Sequence, residues 1–280
     1  MAEVYKLIHP VKYFNDYINR NVRPDGRKFD DQRDIKLNVN AIKSADASAV
    51  VKCGNTTVVC GIKLELAKPK AEEPELGFFV TNVELLPLCS SKFRPGPPSD
   101  HAQVVSNVVS DICINSKSVN LKELCIVPDK LAWVVYCDMV CLDNDGSIVD
   151  ACIITLMTSL KSLTLPKVNY DVETEEIVVD TSVRMPLNIT GLPIATSFAV
   201  YQQSPRSIVL IDPSADEEEM CGGVGANLII CCNDEQFCGI QKFGGSNLST
   251  EAEKKTLAIA KERSKLVEKV IETCLINEIK

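Results

Sequence analysis

The sequence predicts an α+β fold, and three observations lead to this class. Strand-like runs of apolar and β-branched residues come first, and a segment with helical spacing, a long strand and a second helical segment follow them. Strands and a closing helix then return. The two halves of the chain therefore echo each other, and a sheet covered by helices on one side would bury the apolar surface of each half.

The N-terminal part is predicted to be a short helix followed by a hairpin. His9 to Asn21 places aromatic residues on one helical face, and the charged stretch from Arg23 to Asp34 is rich in turn-forming residues. Strand-like alternation begins at Ile35, and Gly54-Asn55 separates two β-branched runs, which is the pattern of a hairpin. A polar loop with three prolines, Cys89 to Asp100, follows.

Two predicted helices flank a long strand in the middle of the chain. The stretch AQVVSNVVSDICINS has apolar residues at helical steps, namely Val104, Val105, Val108, Val109 and Ile112. Leu131 to Leu142 has the pattern of a strand, and the tight turn Asp145-Gly146 leads into the helical segment ACIITLMTSLKSL. The polar segment from Pro166 to Met185 is predicted to be a connecting hairpin or loop.

The second half is predicted to contain four strands and a C-terminal helix. The strand-like runs are PIATSFAVY, RSIVLID, ANLIICC and EQFCGIQ. The helix is expected from about Thr250 to Ile276, where Thr250 and Glu253 have the spacing of a capping box. Its apolar stripe consists of Leu266, Val267, Val270, Ile271 and Cys274.

Composition and charge exclude several classes of protein. The 280 residues carry a net charge of −8 and are 45% hydrophobic. These values indicate a folded core but not the basic surface that wholesale binding to nucleic acid requires. No apolar run approaches the roughly 18 residues of a membrane-spanning helix, and no secretory signal pattern opens the chain. We therefore expect the protein to remain on the side of the membrane where it is made.

The 13 cysteines are expected to be reduced thiols that pack as small hydrophobic side chains. Their number is odd and the chain shows no secretory signal, which argues against a disulfide framework. Zinc binding is disfavoured because Cys137 and Cys141 lie in a predicted strand, which would separate their Cα atoms by roughly 13 Å. Trp133, in the same strand, is expected in the core.

Several motifs, in order along the chain, resemble one protein family. RPDGR at residues 23–27 and AVVKCGNTTVVCGIK at residues 49–63 are similar to the opening of ribonuclease PH-type domains. CSSKFRPGPP at residues 89–98 and the stretch from Leu124 to Ala151 resemble the non-catalytic class of ring subunits of the RNA exosome. The later motifs IDPSADEEE and GGS fit that class as well, so the resemblance covers nearly the whole chain.

The resemblance implies a ribonuclease PH fold with two βαβα-like halves, similar to domain 2 of ribosomal protein S5. It implies an N-terminal helix and extended segment at 1–30, a first half at 31–165, a connecting segment at 166–190, and a second half with the C-terminal helix at 191–280. It also implies a hexameric ring of such subunits, in which the tightest neighbour is a paralogue of the active class. S1/KH-type cap subunits and RNA would be further partners, with no membrane and no cofactor.

The same resemblance implies a role in 3′-to-5′ processing and degradation of RNA in the nucleus, nucleolus and cytoplasm. Phosphorolysis by active members needs a bound phosphate, which a Gly-Ser/Thr-Arg triplet after the Asp-Gly turn helps to hold. The corresponding residues here are Ser147, Ile148 and Val149. A valine side chain can neither neutralise nor hydrogen-bond a phosphate as an arginine does. We therefore expect a degenerate phosphate site.

The acidic positions of active members are also incomplete in this chain. Glu218 matches the first of two carboxylates expected after the strand SIVLID, and the second falls near Gly222, which has none. Without the pair, metal or general-acid chemistry at the scissile phosphate lacks one of its groups. The acidic run from Asp216 to Glu219 is interpreted as a solvated surface rather than a metal site.

RNA-gripping relatives carry arginines along the helix after the Gly-Pro-Pro motif, where this chain has Asn107, Asp111 and Ile114. The candidates for an RNA contact are instead Lys92 and Arg94 on the proline-containing loop, although a solvated loop or an interface salt bridge would explain them equally well. Together these changes predict a structural subunit of the exosome ring without its own catalysis.

Two other functions stay open at this point. An active phosphorolytic 3′-to-5′ exoribonuclease would need a partner to supply the arginine that Val149 replaces. A metabolite kinase would need a glycine-rich phosphate loop before a helix, whereas Cys221 to Asn227 precedes an apolar strand-like run. GGS at residues 244–246 precedes a helix, but Glu251 and Glu253 in its first turn already complement the helix dipole. We expect a turn there rather than an anion site.

Overall fold

A computed structural model of the protein describes residues 2–171, 176–203, 206–222, 228–233, 236–244 and 247–278. These residues form two larger sheets, a separate two-stranded sheet and six helices. The α+β class predicted from the periodicities is confirmed, and the predicted strands and helices occur in the expected order. The structure adds a strand at Phe78–Leu85 and a short helix at Ala215–Met220, which were not predicted.

The first sheet comes from the N-terminal half of the chain. Its strands are β1 (Ile35–Val39), β2 (Ala47–Cys53), β3 (Thr56–Ala67), β4 (Phe78–Leu85), β5 (Cys125–Val127) and β6 (Leu131–Asp143). Their order is β1-β2-β3-β6-β4, with β5 paired to β6, and only β4 and β6 run parallel to each other. Gly54, with φ +59°, lies in the predicted turn between β2 and β3 and takes this left-handed conformation without a steric penalty.

The remaining strands form a hairpin and the second sheet. The hairpin, which confirms one of the two alternatives predicted for this segment, consists of β7 (Thr164–Tyr170) and β8 (Ile177–Pro186). The second sheet consists of β9 (Pro193–Gln203), β10 (Arg206–Ile211), β11 (Leu228–Asn233) and β12 (Gln236–Lys242). Its order is β10-β9-β11-β12, with every pair antiparallel.

One helix lies between the two sheets. The helices are α1 (Ala2–Ile8), α2 (Pro10–Ile18), α3 (Asp100–Ser116), α4 (Ile148–Ser162), α5 (Ala215–Met220) and α6 (Thr250–Glu278). Helix α4 packs against β2 and β3 on one side and β9 on the other, and residues 148–160 are all buried. A helix that is apolar on every face requires such a position. The Thr155 and Thr158 hydroxyls donate to carbonyls four residues earlier, which satisfies them inside the core.

Both terminal helices differ in detail from the predictions. Two helices, α1 and α2, replace the single helix predicted from His9 to Asn21. The first helix ends before His9 because Pro10 has no N–H with which to continue it, and proline is favoured at the start of the second helix. Helix α6 begins at Thr250 as expected, but the capping side chain is Ser249, whose Oγ accepts from the Ala252 N–H at 3.3 Å. The predicted capping box is therefore wrong.

The predicted cores of the helices are partly confirmed. In α6, Val267 and Ile271 are buried, but Leu266 and Val270 are exposed. In α3, Val104 is exposed while the other four predicted apolar residues are buried. Trp133 is buried in β6, as predicted. No described helix combines the length and the apolar character that spanning a membrane requires.

Candidate functional site

The turn that precedes helix α4 forms the floor of the candidate site. Gly146 and Ser147 both have left-handed φ angles, +81° and +52°. A Cβ on Gly146 would lie 2.4 Å from the carbonyl oxygen of Pro213, so only glycine lets these two segments approach each other. The Thr56 hydroxyl donates to the carbonyl of Gly146 at 2.8 Å and accepts from the N–H of Asp145 at 3.1 Å. The turn is thus held by strand β3 and by the segment after β10.

A carboxylate of the same chain occupies the N-terminal end of α4. The backbone N–H of Ser147 donates to Oε1 of Glu218 at 2.8 Å, and the Ser147 hydroxyl donates to the Pro213 carbonyl at 3.1 Å. Helix N-termini attract anions through their free N–H groups and dipole. Burial raises the pKa of Glu218 to about 8, although the hydrogen bond from Ser147 and the charge of Arg33 oppose this shift.

Arg33 fastens the same turn to the end of strand β10. Its guanidinium donates to the Asp145 carbonyl at 2.7 Å and to the Gly146 carbonyl at 3.3 Å. The opposite edge of the guanidinium holds both carboxylate oxygens of Asp212, at 2.6 and 3.0 Å. Burial alone would raise the pKa of Asp212, but the hydrogen bonds and charge of Arg33 outweigh it and hold that pKa well below its usual value. This arginine is engaged by its own chain.

Two further buried ion pairs surround the turn. Arg263 of α6 donates to Asp150 of α4 at 2.7 Å, and the backbone N–H and hydroxyl of Ser197 donate to the same carboxylate. Arg23 pairs with Glu217 in α5, and neither side chain is accessible to solvent. Breaking such a pair leaves an uncompensated buried charge, so the first contact holds α6 against α4 and the second holds the segment after α2 against α5.

The interpretation of residues 216–219 as a solvated surface is wrong for two of the four acids. This run forms the short helix α5, whose inner face carries the buried Glu217 and Glu218. Asp216 and Glu219 face solvent, where they pair with Lys6 and Lys92. The error arose because the tertiary partners of the inner carboxylates, a buried arginine and a backbone N–H, come from remote parts of the sequence.

An open cleft of about 760 Å³ lies beside this turn. Its lining combines the start of α4 (Ile148 and Val149) with Glu218 and with apolar side chains of α3. The acids in the lining are Asp100, Glu218 and Glu219, and its basic side chains are Lys92 and His101. Burial lowers the pKa of His101, which favours the neutral ring. Among the described residues, the cleft therefore holds more acid than base and has no arginine in its lining.

The loop predicted to contact RNA lies at the rim of the cleft. Lys92 is exposed and donates to Glu219 at 2.7 Å. Arg94 is exposed and does not line the cleft. On α3, the positions Asn107, Asp111 and Ile114 are all exposed and lie on one face, as their spacing predicts. That face carries no positive charge at these positions.

Other predicted positions lie outside the cleft or outside the described residues. Gly222 follows α5 with φ +83° and does not line the cleft. Residues 223–227, which complete the glycine-rich segment, are not among the described residues, and neither are Gly245 and Ser246 of the GGS motif. Ser147, Ile148 and Val149, predicted to be a degenerate phosphate site, lie together with Glu218.

Two charged residues that prove to be buried could have been recognised in the sequence by their apolar neighbours. Arg263 lies on the same helical face as Val267 and Ile271, four and eight residues later, and Asp150 stands among apolar neighbours in the first turn of helix α4. A charge in the middle of an apolar stripe indicates a buried ion pair. Neither position, however, indicates which residue of opposite charge it meets.

Comparison with protein families places both halves of the chain in one family. Residues 31–166 match domain 1 of the 3′ exoribonuclease family, ribonuclease PH, and residues 191–263 match domain 2. Exosome complex component rrp43 of Schizosaccharomyces pombe is 35% identical over 260 residues, which cover 93% of this chain and 94% of that protein. Exosome complex component Rrp42 of Thermococcus kodakarensis is 40% identical over 208 residues, which cover 74% of this chain and 75% of that protein.

Solved structures with the same fold come from archaeal exosomes. A chain of the Archaeoglobus fulgidus exosome with RNA bound to the active site superposes with a TM-score of 0.80, at 28% identity, over 92% of this chain and 96% of that chain. A chain of an archaeal exosome core superposes with a TM-score of 0.78, at 25% identity, over 97% of this chain and 100% of that chain. The ribonuclease PH fold predicted from the motifs is confirmed.

Proposed function

Because the chain belongs to the 3′ exoribonuclease family with the ribonuclease PH fold, we propose that it is a non-catalytic ring subunit of an RNA exosome. Within that class we place it closest to exosome component eight, a choice supported by its similarity to the fission-yeast rrp43 protein over nearly its full length. Its partners would be other ribonuclease PH-like ring subunits, cap subunits and the RNA that passes through the ring. By analogy with eukaryotic exosomes, it would work in the nucleus, nucleolus and cytoplasm.

The observation that carries the absence of catalysis is the hydrogen bond from the Ser147 N–H to Glu218. A phosphate that used the start of α4 would have to displace a buried side chain of the same protein. If ionised, that carboxylate would repel the phosphate, and if protonated it would still fill the space. The Val149 side chain, two residues after Ser147, supplies no hydrogen-bond donor, and Arg33 already binds Asp212 and two backbone carbonyls.

The charge of the cleft supports the same conclusion. Phosphoryl transfer needs positive charge around the reacting phosphate to stabilise the transition state. The exposed cation in the lining, Lys92, is paired with Glu219, and the lining holds two more acids. A carboxylate pair for metal binding is not formed either, because Glu218 hydrogen-bonds the backbone of α4 and Gly222 has no side chain to offer.

Exposed apolar side chains support a role in assembly. Strand β8 presents Ile177, Val178, Val179, Val183 and Met185 to solvent. The N-terminal helices similarly expose Val4, Leu7, Ile8 and Val11. Apolar side chains that remain uncovered in a single chain are typical of surfaces that become buried in a permanent complex.

The proposal is tested with the chain in its complex. The chain is co-expressed with the other ring and cap subunits, the complex is purified at native salt, and its mass is measured. We expect a stable assembly of about nine different chains, consistent with the large apolar interfaces of obligate complexes. A chain that stays monomeric in the presence of all candidate neighbours would contradict the structural role.

Catalysis is tested separately with labelled RNA and inorganic phosphate. We expect this chain alone to release no nucleoside diphosphate. Complexes that contain the unaltered chain and complexes that contain its Glu218→Gln variant should release equal amounts of nucleoside diphosphate. A release that vanishes with Glu218→Gln while the mass of the complex is unchanged would identify this chain as a phosphorolytic enzyme and overturn the proposal.

A further inference from the structure

Two cysteines on neighbouring strands of the second sheet lie unusually close together. Sγ of Cys238 is 3.2 Å from Sγ of Cys231, and 3.5 Å from the Cys231 carbonyl oxygen. A disulfide has an S–S bond of about 2.05 Å and needs Cβ atoms roughly 3.5–4.5 Å apart. The sulfur atoms therefore need to approach by only about 1 Å, which small side-chain rotations can supply.

A β-bulge produces this proximity. Cys231 of β11 is paired with Gly239 of β12, and Cys232 with Phe237, so Cys238 is the extra residue on its strand. A bulge turns its extra residue away from regular alternation, which here directs Cys238 to the side of the sheet that carries Cys231. Cys232 packs in a different hydrophobic cluster and so faces the opposite side.

We propose that Cys231 and Cys238 form a reversible oxidative modification site, a thiol pair that peroxide converts to an intramolecular disulfide. Cys238 is half-buried and reachable by a small oxidant, whereas Cys231 is 1% exposed and is reached through Cys238. The hydrogen bond between the two thiols lowers the pKa of Cys238, which favours Cys238 as the attacking thiolate.

The chemical steps balance with hydrogen peroxide as the oxidant. The Cys238 thiolate attacks one peroxide oxygen, the O–O bond breaks, and a sulfenic acid forms while the leaving hydroxide takes up a proton to become water. The Cys231 sulfur then attacks the sulfenic sulfur, losing its proton as a second water leaves. Two thiols and one peroxide thus give one disulfide and two waters. A dithiol reductant reverses the change by two thiol–disulfide exchanges.

A second close thiol pair shows why accessibility matters. Cys89 and Cys141 also interact through their side chains, but both are buried, at 5% and 0% exposure. Burial raises the pKa of both thiols, so neither supplies the accessible thiolate that must attack peroxide in the first step. Cys125 serves as a control for an accessible thiol without a cysteine partner among the described residues. It is half-exposed, and in that part of the chain its thiol hydrogen-bonds only a carbonyl.

The test uses the full chain in its complex, treated with hydrogen peroxide and then quenched in acid. Remaining thiols are alkylated after unfolding, and the protein is analysed by intact mass and peptide mapping. Because no Lys or Arg lies between the two cysteines, the chain is cleaved with a protease that cuts after Glu235. We expect a loss of about 2 Da before alkylation, a linked pair of peptides containing Cys231 and Cys238, and full reversal by dithiothreitol.

Two variants make the result specific. Cys238→Ser should abolish the linked peptides, and Cys125→Ser should leave them unchanged. The proposal is overturned if, after peroxide treatment that oxidises Cys125, Cys231 and Cys238 are both still reduced and are therefore both alkylated. It is also overturned if Cys231 links to Cys113 or Cys232 instead. The parent chain alone decides the first outcome, so the conclusion does not depend on the folding of a variant.

Discussion

The carboxylate of Glu218 accepts a hydrogen bond of 2.8 Å from the backbone N–H of Ser147, at the N-terminal end of helix α4. The two residues are 71 positions apart in the chain, and Glu218 is 7% exposed. This contact joins the two halves of the fold at the turn where we propose that no phosphate binds. On that proposal, the same side chain both stabilises the fold and fills the space at the start of α4.

The stability of the chain should depend on pH through Glu218. Its pKa of about 8 in the folded chain exceeds the ordinary value of 4.5, so the folded state binds the proton more tightly, and stability falls as the pH rises from 4.5 to 8. As the pH rises from about 6 to about 8, we expect the contribution of Glu218 to the free energy of unfolding to fall by about 2 kcal/mol. Glu218→Gln removes this dependence. Denaturant unfolding of both proteins at each pH measures it, with Glu219→Gln, an exposed neighbour, as the control.

Glu218→Ala should have little effect on RNA turnover by the reconstituted complex. On the proposal that this subunit is non-catalytic, Glu218 has no second carboxylate to act with, so its removal takes away no chemical step. Degradation of a labelled RNA by the complete assembly, including its separate nuclease, measures the rate. A tenfold fall with the complex intact would show that Glu218 contributes to catalysis after all.

Gly146→Ala should destabilise the chain much more than Gly26→Ala. Both glycines have positive φ angles, +81° and +89°. At Gly146 a Cβ would lie 2.4 Å from the Pro213 carbonyl oxygen, while at Gly26 no atom lies within 4 Å. We expect the free energy of unfolding to fall by about 1 kcal/mol for Gly26→Ala, because of backbone strain. For Gly146→Ala we expect it to fall by about 3 kcal/mol or more, because overpacking adds to the strain. Equal losses in denaturant unfolding would refute the role of close packing.

Arg263→Met should destabilise the fold by about 3–5 kcal/mol, because it leaves Asp150 buried without its counter-ion. The pair is 2.7 Å apart, and its side chains are 2% and 0% exposed. Lys255→Met is the matched control, since Lys255 pairs with Asp30 at 2.7 Å where both side chains are more than half exposed. An exposed pair contributes less than about 1 kcal/mol. Chemical denaturation of the three proteins compares them, and similar losses would contradict the assignment.

Arg94→Ala should weaken RNA binding by the complex, on the proposal that the rim loop contacts the phosphate backbone. We expect the affinity for RNA to fall about threefold. The slope of log affinity against log salt concentration should fall by the equivalent of about one phosphate contact. Lys92→Ala should have a smaller effect, because Glu219 already neutralises that lysine. Filter binding across a salt series measures both variants, with Lys255→Ala as a control outside the loop. An unchanged salt slope for Arg94→Ala would favour the alternative of a solvated loop.

Local patterns were sufficient for much of the fold. The long strand β6 and the helices α3, α4 and α6 were predicted because alternation and helical spacing are properties of neighbouring residues. For the segment that forms the hairpin β7–β8, the sequence left a hairpin and a loop as alternatives. Errors occurred where a local choice depended on one hydrogen bond or one proline. Ser249 rather than Thr250 caps α6, and Pro10 divides the N-terminal helix in two.

Residue identity fixes which chemical groups this chain offers at the proposed site, because Val149 brings no positive charge there and Gly222 no carboxylate. These are properties of single positions and can be read from the sequence alone. The placement of the remaining charges depends instead on the tertiary structure. Arg33, Asp145 and Asp212 meet from three separate segments, and whether an acid faces solvent or is buried depends on which remote partner compensates its desolvation.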